Sequence, residues 1–178
     1  MLAERIGSLQ LASLAADGSC IDEQVSVRQL PRLHEALAKS GGDQALAVQV
    51  RLSRGGAGLV VLDIAVTGAL PLICQRCLQP VSWDIDFEVT LSAVRSEERA
   101  EELPDPFDSI LLDAEGGLAL ATAVEDEILS QLPLVPLHET AECAAGQQAT
   151  AADSGTSEVT RPFAALGILM NRGGDDDR

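Results

Sequence analysis

Two thiols three residues apart, Cys74 and Cys77 of the tetrapeptide Cys-Gln-Arg-Cys, are the groups of this chain whose type and spacing point most directly to chemistry. A thiolate pair at a turn is the usual half of a tetrahedral zinc site, and His138 with Cys143 offers a second half, giving a Cys3His set. The halves lie far apart in sequence, so only the fold can assemble them. A thioredoxin-like redox role ranks lower, because such pairs take a low thiol pKa from a helix N-terminus and this pair lies between strand-like stretches. The reading favoured by sequence alone is the plainest: two small side chains packing a tight turn, with Arg76 exposed between them.

The elements around the pair follow from periodicity. Val81, Trp83, Ile85, Phe87, Val89, Leu91 and Ala93 alternate with Ser82, Asp84, Asp86, Glu88, Thr90 and Ser92, the period-2 mark of a half-buried strand. Upstream, Leu46, Val48, Val50 and Leu52 alternate with polar or small residues, Arg54-Gly-Gly-Ala-Gly58 supplies a turn, and Leu59 to Val66 resumes as a β-branched run. Together these predict a three-stranded antiparallel meander whose second turn, Leu72 to Pro80, carries the thiols. A short strand at Ser109 to Leu112 extends the sheet, and Ile21 to Leu30 reads as an edge strand in an otherwise weakly patterned first thirty residues.

Pro31 to Ser40 reads as a short helix, started by proline and stopped by Gly41-Gly42. His34 on it reads as a surface or half-buried side chain. Leu118 to Leu132 places Leu118, Ala121, Val124, Ile128, Leu129 and Leu132 on one stripe and ends at Pro133, so it should cover a face of the sheet. Glu125 falls inside that stripe, whereas Asp126 and Glu127 point away. A carboxylate facing a core needs a partner, since desolvating it unpaired costs several kcal/mol, and Arg76 is the first choice.

The expected fold is α+β: an antiparallel β-meander of three or more strands against one main helix, with short flanking helices. A single domain over 1–143 precedes a flexible linker over 144–160, too poor in large apolar groups to order itself, and a short C-terminal helix with an acidic tail over 161–178. Phe163, Leu166, Leu169 and Met170 would anchor that helix, either on its own domain or on a partner.

With 28 acidic against 12 basic residues the net charge is −16, and Lys39 is the only lysine. Phosphate-backbone binding draws on clustered Lys and Arg, and no such cluster occurs, so a basic protein is the better electrostatic partner. The acidic stretch Ser96 to Asp108 is a candidate surface for it. No apolar run of membrane-spanning length and no secretory signal pattern is present, which predicts a cytosolic chain with reduced thiols. No nucleophile–base pair, phosphate-cradling loop or nucleotide fingerprint appears: Gly55-Gly56-Ala57-Gly58 lies in a hairpin, not between a strand and a helix. Enzyme activity and a small-molecule substrate are therefore not expected.

CQRCLQPV at 74–81, FDSILLD at 107–113, AVEDEILSQLPLVPLH at 123–138, Cys143 and RPFAAL at 161–166 resemble, in order, the bacterial YceD family of large ribosomal RNA subunit accumulation proteins. The resemblance runs from about residue 44 to about residue 172. It implies a non-enzymatic role in synthesis, processing or stability of large-subunit (23S) ribosomal RNA. Charge and resemblance are reconciled if the chain holds a basic ribosomal protein or assembly factor and touches RNA only indirectly. Arg76, Glu125, Asp126, Glu127, Phe163 and Leu166 are the interaction candidates. The alternative is a zinc-dependent or thiol-redox protein built on Cys74, Cys77, His138 and Cys143.

Overall fold

The computed structural model describes residues 2, 4–37, 44–103, 108–139 and 143. The linker and C-terminal helix expected over 144–178, with Phe163 and Leu166, lie outside the described residues. Among these described residues, seven strands and four α-helices follow in the order β1 (Arg5–Ile6), α1 (Ser8–Ala16), β2 (Cys20–Ser26), α2 (Pro31–Ala36), β3 (Ala45–Arg54), β4 (Val60–Ile73), β5 (Pro80–Val94), α3 (Glu97–Glu101), β6 (Asp108–Leu111), β7 (Leu118–Ala119) and α4 (Leu120–Gln131). Strands β2 to β6 form one sheet in sequence order.

β3, β4 and β5 form the three-stranded antiparallel meander that alternation predicts, β2 adds a fourth antiparallel strand at the edge, and the fold is α+β. β6 is added parallel to β5, because the chain crosses through α3 before returning to the sheet edge. The core side is built from Leu46, Val48, Val50 and Leu52 on β3, Leu62, Ile64 and Val66 on β4, and Ile85 and Leu91 on β5, all buried. Every second residue points the other way, as the pleat requires.

β4 and β5 outrun the rest of the sheet. β3 pairs with β4 only from Val60 to Thr67, whereas β4 and β5 stay paired to Ile73 and Pro80. The continuation forms a two-stranded arm with the Cys-Gln-Arg-Cys turn at its tip. Gly68 stands where β3 ends: its φ is +155°, and a Cβ there would lie 2.5 Å from Leu46 Cδ2. A side chain at that position would be strained by both backbone and contact. On the arm, Leu70 pairs with Trp83 and Leu72 with Val81, which carries the apolar face outward to the tip.

Three helices cover the core side. α1 lies against β3 and β4 through Leu11 and Ala15 and ends at Gly18 (φ +63°), with the Ser19 N–H donating to Leu14 O at 3.0 Å. The weak patterning of the first thirty residues did not predict this helix, since Leu9 is exposed and blurs the stripe. α2 is shorter than its predicted span, ending at Ala36. α4 packs beside α2 and sends Leu120, Val124 and Ile128 into the same core. Leu118 and Ala119, predicted as helix, pair instead with Ile6 and Arg5. The acidic stretch after β5 opens with α3 rather than running as a plain loop. No helix among the described residues is long and apolar enough to cross a membrane.

Glu125 is buried, as its place in the stripe predicts, but its partner is Arg32 and not Arg76. Its Oε2 receives Arg32 Nε at 3.0 Å, while Oε1 accepts the backbone N–H groups of Arg32 and Leu33 at 2.8 and 3.1 Å. The carboxylate thus satisfies the first-turn donors of α2, which has no side-chain cap of its own. Arg76 is unavailable because it sits at the arm tip, engaged elsewhere. Glu125→Ala should lower unfolding free energy by about 2–3 kcal/mol, from two stranded N–H groups and a lost buried ion pair. Asp126→Asn, which removes only the exposed 2.6 Å pair to Arg32 Nη1, should cost under about 1 kcal/mol. Urea denaturation measures both.

A second tie fastens the N-terminus. Arg5 Nε meets Asp113 Oδ2 at 2.6 Å, and Asp113 Oδ1 also accepts the N–H groups of Glu115 and Gly117 at 3.0 and 2.9 Å. The Arg5 guanidinium, followed by the Gly117 and Glu115 amides, holds the Asp113 carboxyl well below the ordinary carboxylate range. A group lowered in the folded state stabilises it fully above the unfolded pKa, about 3.9, and loses that contribution as pH falls further. Asp113→Asn should therefore lower the urea midpoint at pH 7. The gap to the unsubstituted protein should close as pH drops below about 4.

Candidate metal centre at the arm tip

The turn between β4 and β5 is built by its own backbone. The Cys74 N–H donates to Gln79 O and the Leu78 N–H to Cys74 O, both at 2.9 Å, closing a loop over 74–79. Leu78 takes a left-handed backbone conformation (φ +59°), which costs a side chain roughly 1 kcal/mol. It is also 70% exposed, so packing does not compensate.

The segment after α4 is drawn onto this loop. Pro133 ends the helix, and the chain runs along the arm beside Val81 and Trp83. Gln75 N–H donates to Pro136 O at 2.9 Å, and the His138 N–H points at Cys74 Sγ at 3.4 Å. Arg76 grips the same segment, donating from Nη2 to His138 O at 2.9 Å and from Nε to Cys143 Sγ at 3.1 Å. The Arg76 side chain expected to stand free between the thiols is therefore a clamp.

The consequence is a cluster that sequence alone ranked below simple turn packing. One donor atom from each of Cys74, Cys77, His138 and Cys143 lies within 4.8 Å of the others. Cys74 and Cys143 are buried, Cys77 and His138 half-buried, and all of the cysteines are free thiols. Cys77 Sγ is 3.3 Å from His138 Nδ1, and His138 Nε2 is 3.0 Å from Pro80 O. A carbonyl only accepts, so Nε2 carries the ring proton in neutral His138 and the Nδ1 lone pair faces the sulfurs.

The electrostatics of the sulfurs diverge. Burial opposes ionisation of Cys74, but N–H groups of Cys77, His138 and Arg76, with the His138 ring, outweigh it and lower its pKa to about 5. A Gln79 N–H favours the Cys77 thiolate, yet burial and the neighbouring Cys74 and Cys143 sulfurs leave that thiol above its ordinary value. Contact with Cys74, against burial, raises His138. The turn stabilises one thiolate among four convergent donors. Cys74 is fully buried, which closes it to attack on a substrate and fits a ligand better than a nucleophile.

The other candidates sit apart. Glu125 serves α2 as described. Asp126 is exposed and paired with Arg32, while Glu127 is half-buried, its carboxyl raised by burial and then by Asp108 and Asp126. Cys20 is exposed on edge strand β2. A concavity of about 720 Å3 lies at the opposite end of the sheet between α1, the β3–β4 turn and the end of β5. Its walls are mostly apolar, with Arg95, Arg99 and Glu102 among the lining residues.

The sheet face turned away from the helices was not singled out by sequence, although the β5 alternation contained it. The registers align Asp22, Gln49, Ala65 and Glu88 in one row, Gln24, Ala47, Thr67 and Asp86 in the next, and Asp63 opposite Arg51 and Thr90 in a third. Asp22, Asp84, Asp86 and Glu88 are exposed and Asp63 half-buried. Arg51 is the one cation among the described strand residues of this face.

The profile of the family described as "Large ribosomal RNA subunit accumulation protein YceD" matches residues 62–170. A Haemophilus influenzae protein of that name is 29% identical over 150 residues, covering 83% of this chain and 85% of its own. No solved structure matches. The family match spans β4, the thiol turn, β5, α4, His138 and Cys143, the elements that converge at the arm tip. By that extent of similarity, the chain belongs to the YceD family.

Proposed function

We propose that this chain acts without catalysis, in the cytoplasm, in the accumulation of large-subunit ribosomal RNA, by holding a basic ribosomal protein or assembly factor on its acidic sheet face. Family membership carries the first half of this reading, since the Haemophilus influenzae relative is named for large ribosomal RNA subunit accumulation. Charge carries the second half. A net charge of −16 sets a repulsive field for phosphates and an attractive one for Lys- and Arg-rich chains. The outward sheet face concentrates it, with Asp22, Asp63, Asp84, Asp86 and Glu88 facing one arginine across a surface of small Ala and Thr side chains.

Sheet surfaces that take single-stranded RNA present aromatic rings for base stacking and cations for the backbone. Among its described strand residues this face has no aromatic ring and a single cation, Arg51: Trp83 and Phe87 point to the core side. Contact with ribosomal RNA is then indirect, through the captured protein. Salt-dependent association and a fast on-rate are the physical signature of such a surface.

The test is binding of the purified full chain to purified basic large-subunit ribosomal proteins and, separately, to protein-free 23S ribosomal RNA. At least one protein should bind, with affinity falling tenfold or more between about 0.05 and about 0.5 M salt. The triple substitution Asp84→Lys, Asp86→Lys, Glu88→Lys should weaken it by a similar factor while leaving the melting temperature near that of the parent. Tight retention of the naked RNA with no protein bound would overturn the reading.

A further inference from the structure

We propose that Cys74, Cys77, His138 and Cys143 bind one zinc ion in a closed, structural Cys3His centre that locks the segment after α4 onto the tip of the β4–β5 arm. The proposal stands on the donor geometry and is independent of which partner the sheet face takes.

Four observations converge on it. The donor atoms lie within 4.8 Å of one another, while zinc with bonds of about 2.0–2.3 Å sets tetrahedral donors roughly 3.5–3.8 Å apart, so small side-chain adjustments close the site. His138 is already oriented, because Nε2 donates to Pro80 O at 3.0 Å and leaves the Nδ1 lone pair toward the sulfurs. A ligating histidine tied through its other nitrogen to a carbonyl is the usual support around a metal ligand. The His138 N–H also points at Cys74 Sγ at 3.4 Å, the kind of amide contact that supports a metal thiolate. Finally, three thiolates and a zinc ion sum to one negative charge, and the Arg76 guanidinium donates to Cys143 Sγ at 3.1 Å, where it neutralises that excess.

Rival uses fit less well. Four protein donors leave no coordination position open for water or substrate, which makes the centre structural and not hydrolytic. Thiol exchange needs an accessible sulfur, and Cys74 and Cys143 are both buried. Calcium or magnesium would require oxygen donors, of which the cluster supplies none.

The experiment is cobalt and zinc loading of the full-length chain, purified, stripped of metal and fully reduced. One equivalent of cobalt(II) should develop the intense visible bands and near-ultraviolet thiolate charge transfer of a tetrahedral sulfur-rich site, and zinc should abolish both stoichiometrically. Protein purified without chelator should carry about one zinc per chain. Cys74→Ser and His138→Ala should each weaken zinc binding a hundredfold or more, whereas Cys20→Ser, outside the cluster, should bind as the parent does. Arg76→Gln should keep one zinc at roughly 10–100-fold lower affinity, as loss of an outer hydrogen-bonding partner does. Zinc should also raise the melting temperature of the parent and not of Cys74→Ser. Because the cobalt spectrum is read on the unsubstituted chain, misfolding of a variant cannot mask the answer. A weak octahedral-type spectrum without charge transfer would overturn the proposal. So would equal loss of zinc in Cys20→Ser and Cys74→Ser, or a thermal transition indifferent to zinc.

Discussion

The unbroken antiparallel pairing of β4 with β5, from Val60 opposite Ala93 to Ile73 opposite Pro80, is the constraint on which the rest of the molecule depends. Its inner half joins β2, β3 and β6 in the sheet and buries Leu62, Ile64, Val66 and Leu91 beneath the helices. Its outer half has no third strand among the described residues and relies on its own apolar pairs, Leu70 with Trp83 and Leu72 with Val81, and on the Pro-rich segment laid beside them. A two-stranded ribbon alone is marginal in water. The contacts at its tip, where Gln75 and Arg76 hold Pro136 and His138, are therefore what keep the thiol loop in one arrangement.

The same ladder sorts charge. Because successive side chains alternate, one strand commits Trp83, Ile85 and Phe87 to the core side and Asp84, Asp86 and Glu88 to solvent. Neighbouring strands add Asp22 and Asp63 in register. The negative charge of the chain is thus not spread uniformly: part of it forms a flat field on the side the helices leave open. The proposed docking function draws on this geometry. The concavity at the other end of the sheet is mainly apolar, and the Cys74 and Cys143 thiols are buried.

Much of this was legible in the sequence because strong periodicity has one physical meaning. The alternation from Val81 to Ala93, the Arg54 to Gly58 turn and the stripe of α4 each specified an element, and Glu125 inside that stripe specified a buried carboxylate needing a partner. What sequence could not supply was which partner, since the pairing with Arg32 depends on α2 lying beside α4, a contact between residues 92 and 93 positions apart. α1 was hidden because exposed Leu9 disrupts its apolar spacing. The metal-type cluster was underrated for a related reason: spacing between the Cys74 loop and His138 carries no information until the path of the chain after Pro133 is known. Leu-Pro-Leu-Val-Pro looks like a connector, yet it is the segment that returns the histidine to the thiols.

The account rests on the open face of the sheet meeting a protein and not RNA. Installing a photo-crosslinking amino acid at Thr67, central on that face, and irradiating growing cells tests this directly. The account predicts an adduct to a basic ribosomal protein or assembly factor, lost when Asp84, Asp86 and Glu88 are reversed in charge, with no adduct from the same group placed at exposed Leu9 on α1. A Thr67 adduct to ribosomal RNA itself, insensitive to those reversals, would contradict it.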